Sequence, residues 1–162
     1  MPGSRRGDWP ARAALALLVL LFFREALTGG VFYERDVHLI WVPQLEGLVR
    51  AVAGGALPLW DPSPAFGQPL LADPQAQVLY PPAWLNLLLR PWIYCTIFLL
   101  SHLLFSVLCS FALARRFGLS RLAACASASA WGLSGPVLSL VNNSHHFAGA
   151  CHLPVVFLAA EI

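Results

Sequence analysis

Residues 92–114 run for 23 positions without an Asp, Glu, Lys or Arg. As a helix this run spans about 34 Å, enough to cross a hydrocarbon core of about 30 Å. Trp92 and Tyr94 sit at its start, where interfacial aromatics belong. Arg115, Arg116 and Gly118 close it, with Gly118 suited to the residue after a helix end. Composition agrees: the chain is 58% hydrophobic and only 11% charged, against about 25% charged in soluble domains. The expected fold is therefore all-α and transmembrane.

The remaining apolar stretches extend this to a polytopic helical bundle. A first span is expected at about 11–28, with Arg24 snorkelling at its outer end. A signal peptide is the competing reading, but Ala26-Leu27-Thr28 is a poor cleavage site. A third span is expected at about 122–141, capped by Ser120. Its Ala, Ser and Gly content permits close helix approach in lipid, and Gly135-Pro136 should kink it. Residues 147–162 read as an incomplete fourth span. Together these form a single partial membrane domain, the amino-terminal fragment of a larger bundle.

Arginine placement orients the bundle. Arg5, Arg6 and Arg12 precede the first span, and Arg115, Arg116 and Arg121 join the second to the third. The positive-inside rule puts these on the cytoplasmic side, with the N-terminus. A long outer loop, 29–91, and the polar turn 142–146 then share the opposite face.

Five of the eight acidic residues fall in the outer loop. His38, Trp41, Val42, Leu45, Leu48, Val49 and Val52 recur at helical spacing, while Glu46, Gly47, Arg50 and Gly54 fall on the other side. This predicts an amphipathic helix lying on the membrane or across other helices, with Glu46 and Arg50 as an i,i+4 pair. Pro43 belongs in its first turn or kinks it. Seven prolines between 56 and 82 argue against regular helix or sheet there. Trp60, Phe66, Leu70, Leu71, Val78, Leu79 and Tyr80 nonetheless supply anchors for a packed loop.

Glu34 and Asp36 could bind a divalent cation, or one could act as general base on an acceptor hydroxyl. Arg35 between them could hold an anionic group. The plain alternative is a solvated turn at a helix end. Asp73, Gln75, Gln77 and Tyr80 suit recognition of sugar hydroxyls, although Asp before Pro also simply initiates turns. His145 and His146 are outer-face hydrogen-bonding candidates. Adjacent His side chains diverge in regular structure, which argues against a metal site. Cys95, Cys109, Cys125 and Cys151 lack CxxC spacing and read as packing residues. No Walker loop, GxSxG or nucleotide fingerprint occurs. A net charge of +2 without a basic aromatic face gives no case for nucleic acid.

The order of these features resembles the amino-terminal part of bacterial YfhO-type membrane proteins, related to the class C glycosyltransferase fold. The carrying residues are Pro58-Leu59-Trp60-Asp61-Pro62, Gly67-Gln68-Pro69-Leu70-Leu71-Ala72-Asp73-Pro74-Gln75 and Leu79-Tyr80-Pro81-Pro82, followed by Leu133-Ser134-Gly135, His145-His146, Leu153-Pro154 and Glu161. The resemblance implies an essential acidic residue in the first outer loop, Asp36 first and Glu34 second. It implies sugar transfer from a polyprenyl-phosphate donor to a cell-envelope glycopolymer on the outer face of the bacterial plasma membrane. The alternative is a non-enzymatic scaffold or transporter component whose outer loop binds a partner.

Overall fold

A computed structural model of the chain describes residues 7–30, 36–64 and 66–160. These are mostly helical and fall into two compact units. The first unit contains 7–30, 99–141 and 146–160; the second contains 36–98 and Asn142–His145.

The first unit opens with α1 (Trp9–Phe22) and a single turn, α2 (Arg24–Leu27). Its other elements are the 99–116 part of α4 (Pro91–Arg116), α5 (Arg121–Gly132), α6 (Gly135–Ser139) and α7 (Ser144–Ala160) from His146 onward. On α4, Leu103, Val107 and Phe111 are buried at a spacing of four. Ala124, Ala128 and Gly132 repeat at the same spacing on α5 and are also buried. A Cβ on Gly132 would run into the Val107 side chain, so the absent side chain sets how closely α4 and α5 approach. Trp131 Nε1 donates to Ser106 Oγ at 2.9 Å beside this contact. Asp8 closes one end of the unit: it accepts from Arg115 Nε at 3.2 Å and from Arg121 Nε at 3.0 Å. Burial alone would raise the Asp8 pKa, but hydrogen bonds and charge from the two guanidinium groups outweigh it and hold it below the ordinary carboxylate value.

One continuous helix, Pro91–Arg116 with mean hydropathy 2.2, and one interrupted helical stretch, Arg121–Asn142 with mean hydropathy 1.3, are long and apolar enough to cross a membrane. They match the second and third expected spans. The first expected span, 11–28, is shorter as a continuous helix. α1 has 14 residues, about 21 Å of helix, and is interrupted at Phe23 just before Arg24 and Glu25. The expected kink at Gly135-Pro136 is a break. α5 ends at Gly132, Ser134 Oγ accepts from Val137 N at 3.4 Å, and Pro136 occupies the first turn of α6. Proline is tolerated there because first-turn N–H groups have no helical partner. Ser120 caps α5 as expected, accepting from Ala123 N at 3.2 Å. Gly118 adopts φ +81° after α4, the left-handed conformation expected of it.

The second unit is built on α3 (Val42–Ala53), preceded by a wide π turn, Val37–Trp41. Pro43 lies in the first turn of α3. It has no N–H to donate and its ring pushes away the carbonyl one turn back, which accounts for the widening. A small antiparallel pair follows, β1 (Trp60–Asp61) with β2 (Gln68–Pro69), in register Trp60↔Pro69 and Asp61↔Gln68. This regular pairing departs from the irregular loop expected from proline density. It survives because it is two residues long, and Pro69 needs no donor on a two-stranded edge. Two 3₁₀ turns, Pro74–Ala76 and Pro81–Leu87, lead to α4. Leu48, Leu70, Ala76, Val78 and Ala83 form the core of this unit. Each of the larger side chains contributes about 1.5–3 kcal/mol by leaving water. Trp41, Tyr94 and Phe98 pack edge to face beside it, with Tyr80 on Phe98.

Asp61 fixes the β pair to α3. It is buried, accepts from Ser63 N at 3.0 Å and pairs with Arg50 Nη2 at 3.0 Å. Arg50 also approaches Glu46 at 3.7 Å, the expected i,i+4 pair. Gly47, placed on the outward side by periodicity, is buried, and a Cβ there would stand 2.5 Å from Asp61 Oδ2.

Candidate functional site

The second unit holds a small, half-open cleft with room for about one water-sized group. Asp36, Ile40, Trp41 and Gln44 form one wall, Gln75 another, and Asn142, Asn143, Ser144 and His145 a third. The first wall follows from helical spacing: Asp36, Ile40 and Gln44 are four residues apart, and the π turn adds Trp41. Gln75 is set by its 3₁₀ turn. The third wall is the end of a 3₁₀ turn, Leu140–Asn142, and the start of α7.

Asp73 holds two of these walls together from behind. Its Oδ1 accepts from Gln75 N at 2.8 Å, capping the turn, and its Oδ2 accepts from Gln44 Nε2 at 2.7 Å. The carboxylate therefore orients the Gln44 carboxamide and fixes the backbone turn that carries Gln75, without lining the cleft.

Two polar atoms on the cleft residues stand out. Trp41 Nε1 and Gln44 Oε1 are buried and have no hydrogen-bond partner among the described residues. Buried polar atoms are nearly always satisfied, by protein, water or ligand. One is a donor and the other an acceptor, a combination that a hydroxyl group can satisfy from both sides.

Of the residues proposed from sequence, Asp36, Gln75 and His145 meet in the cleft. Gln77 is buried with a left-handed φ of 51° and serves the turn. Tyr80 belongs to the aromatic cluster, 6.1 Å from Phe98 between ring centroids. His146 is exposed and lies outside the cleft lining. Glu34 and Arg35 lie outside the described residues. Among the described residues, no three His, Cys, Asp or Glu side chains gather as a metal site. The periodicity reading missed Trp41 and Gln44 as cleft residues. Gln44 carried a usable signal, since it is a polar residue three after Trp41 and four before Leu48, on the apolar arc.

The lining carries one carboxylate, several carboxamides, a hydroxyl, an imidazole and an indole edge, with no Arg or Lys among its described members. That set suits a neutral, hydroxyl-bearing group. Comparisons with family models, curated proteins and solved structures find no match to this chain.

Proposed function

We propose that the chain belongs to an integral membrane glycosyltransferase-like protein and that the cleft receives the acceptor hydroxyl. The sugar would come from a polyprenyl-phosphate donor in the bilayer and pass to a cell-envelope glycopolymer. The arginine distribution supports placing the site on the outer face of a bacterial plasma membrane, with the N-terminus cytoplasmic. The observation that carries this reading is Asp36 in one cleft with Gln44, Gln75, Asn142, Asn143 and His145.

In this mechanism the Asp36 carboxylate takes the proton of the acceptor hydroxyl. The acceptor oxygen attacks the anomeric carbon, the bond from that carbon to the phosphate oxygen breaks, and polyprenyl phosphate leaves. Gln44, oriented by Asp73, and Gln75, on the turn that Asp73 caps, hydrogen-bond the acceptor beside that hydroxyl. Asp36→Asn in the full-length protein should lower kcat by about 100-fold or more, the usual contribution of a general base, with the donor KM little changed. Transfer of labelled sugar to the envelope at the wild-type rate, at normal expression, would remove Asp36 from the mechanism. The alternative role of this carboxylate is to hold a divalent cation with Glu34. Activity lost on chelation and restored by Mg²⁺ or Mn²⁺ would favour that role.

One observation favours the non-enzymatic reading, a scaffold or transporter component. His102 on α4 and His152 on α7 face each other with ring centroids 5.7 Å apart, and His152 Nδ1 donates to Ala148 O at 2.7 Å. Ionisable residues within spans often mark a transport path. Proton-coupled flux abolished by His102→Phe, with sugar transfer absent, would establish it.

A further inference from the structure

The β1–β2 hairpin and its flanks expose Leu57, Leu59, Trp60, Phe66 and Leu71. We infer that this hairpin is a bilayer anchor, seated with Phe66 and Trp60 at the boundary between lipid headgroups and acyl chains. The inference does not depend on the transferase reading.

Charge is the first argument. Between Gly54 and Ala72 the only charged residue is Asp61, and it is buried and paired with Arg50 at 3.0 Å. Every side chain this stretch presents outward is therefore uncharged. A water-facing loop of this length ordinarily carries charges, and a surface entering lipid must not.

Backbone satisfaction is the second. Entering a bilayer is costly for any N–H or C=O left unpaired. Pro58, Pro62, Pro64 and Pro69 remove four N–H groups outright. Others are bonded within the hairpin: Leu59 N to Leu57 O at 2.8 Å, Gly67 N to Pro64 O at 2.6 Å, Leu70 N to Leu59 O at 2.9 Å and Ser63 N to Asp61 Oδ1 at 3.0 Å. The proline density that argued against regular structure thus prepares the segment for a medium of low polarity.

Rigidity is the third. A two-stranded hairpin is marginal alone, but this one is fixed to α3 by Arg50–Asp61 and to the core by buried Leu70. Gly67 takes φ +88°, and any Cβ there would strike the Trp60 indole, so the ring lies closely over the turn. Tryptophan prefers the interface, where its ring is apolar and its N–H remains wet. The candidate occupants are lipid, a second copy or a partner protein. Lipid is favoured because the same unit includes the start of α4, the continuous helix fit to cross a membrane.

Replacing Phe66 with the photocrosslinker p-benzoylphenylalanine tests this. Phe66 is fully exposed, so the replacement breaks no packing. The full chain is reconstituted in nanodiscs of phosphatidylethanolamine and phosphatidylglycerol, irradiated and digested. The expected result is a peptide carrying one phospholipid, several-fold more abundant than for the same probe at exposed Glu46. A chain-to-chain or partner-protein adduct at position 66 would overturn the anchor, as would the absence of any adduct. A second probe at position 57 should give the same lipid adduct.

Discussion

Asp61 shows how one side chain can decide a local fold. Burial alone would raise its pKa; the Ser63 N–H and the Arg50 charge outweigh this and hold it below the ordinary value of 3.8. The sign of the pH effect follows. A carboxylate with a lower pKa folded than unfolded binds fewer protons when folded, so its stabilisation is present above the unfolded value. It is lost as pH falls below about 4 and through the folded pKa. Thermal unfolding in detergent should therefore show wild type losing its advantage over Asp61→Asn between about pH 5 and about pH 3. A difference that stays constant across that range would place the Asp61 contribution elsewhere. The sequence announced Asp61 only as part of a turn before Pro62. Its pairing with Arg50 was not legible, because the partners are eleven residues apart and no local periodicity links them.

At the scale of elements, α3 was largely readable. Its apolar arc, the Glu46–Arg50 pair and the first-turn position of Pro43 all follow from 3.6-residue spacing and proline chemistry. Gly47 was not readable, since glycine gives no polarity signal and its burial depends on where β1 lies. Gly47→Ala should force the Asp61 carboxylate away from α3 and cost about 1–3 kcal/mol, the usual range for overpacking. Urea or thermal titration should show the loss, and the double variant with Asp61→Ala should recover part of it. A Gly47→Ala variant as stable as wild type would mean that α3 and β1 separate freely. The small-residue stripe of α5 was visible as composition, and the structure adds the partner: Gly132 lies against Val107 of α4.

At the scale of the whole molecule, the expected sidedness is open to direct measurement. Phe117→Cys, beside the arginine-rich turn, should label with an impermeant maleimide only from the cytoplasmic side, and Glu46→Cys only from outside. Labelling of both from one side would reverse the arginine-based assignment. Part of the candidate site was legible at this scale. The polar turn 142–146 was expected on the same face as the outer loop, and Asn142–His145 do line a cleft with Asp36 and Gln75. By itself the sequence determined the helical class, two runs able to cross a membrane, the amphipathic α3 and several helix ends. Those properties depend on residues within a turn or two of one another, where hydropathy and backbone chemistry act directly. Only the tertiary structure decided that Asp73 braces the cleft from behind, that Gln44 and Trp41 face it, and that a proline-rich segment pairs into a hairpin. Each of these rests on contacts between segments distant in sequence, and chain order does not encode which buried polar groups will meet.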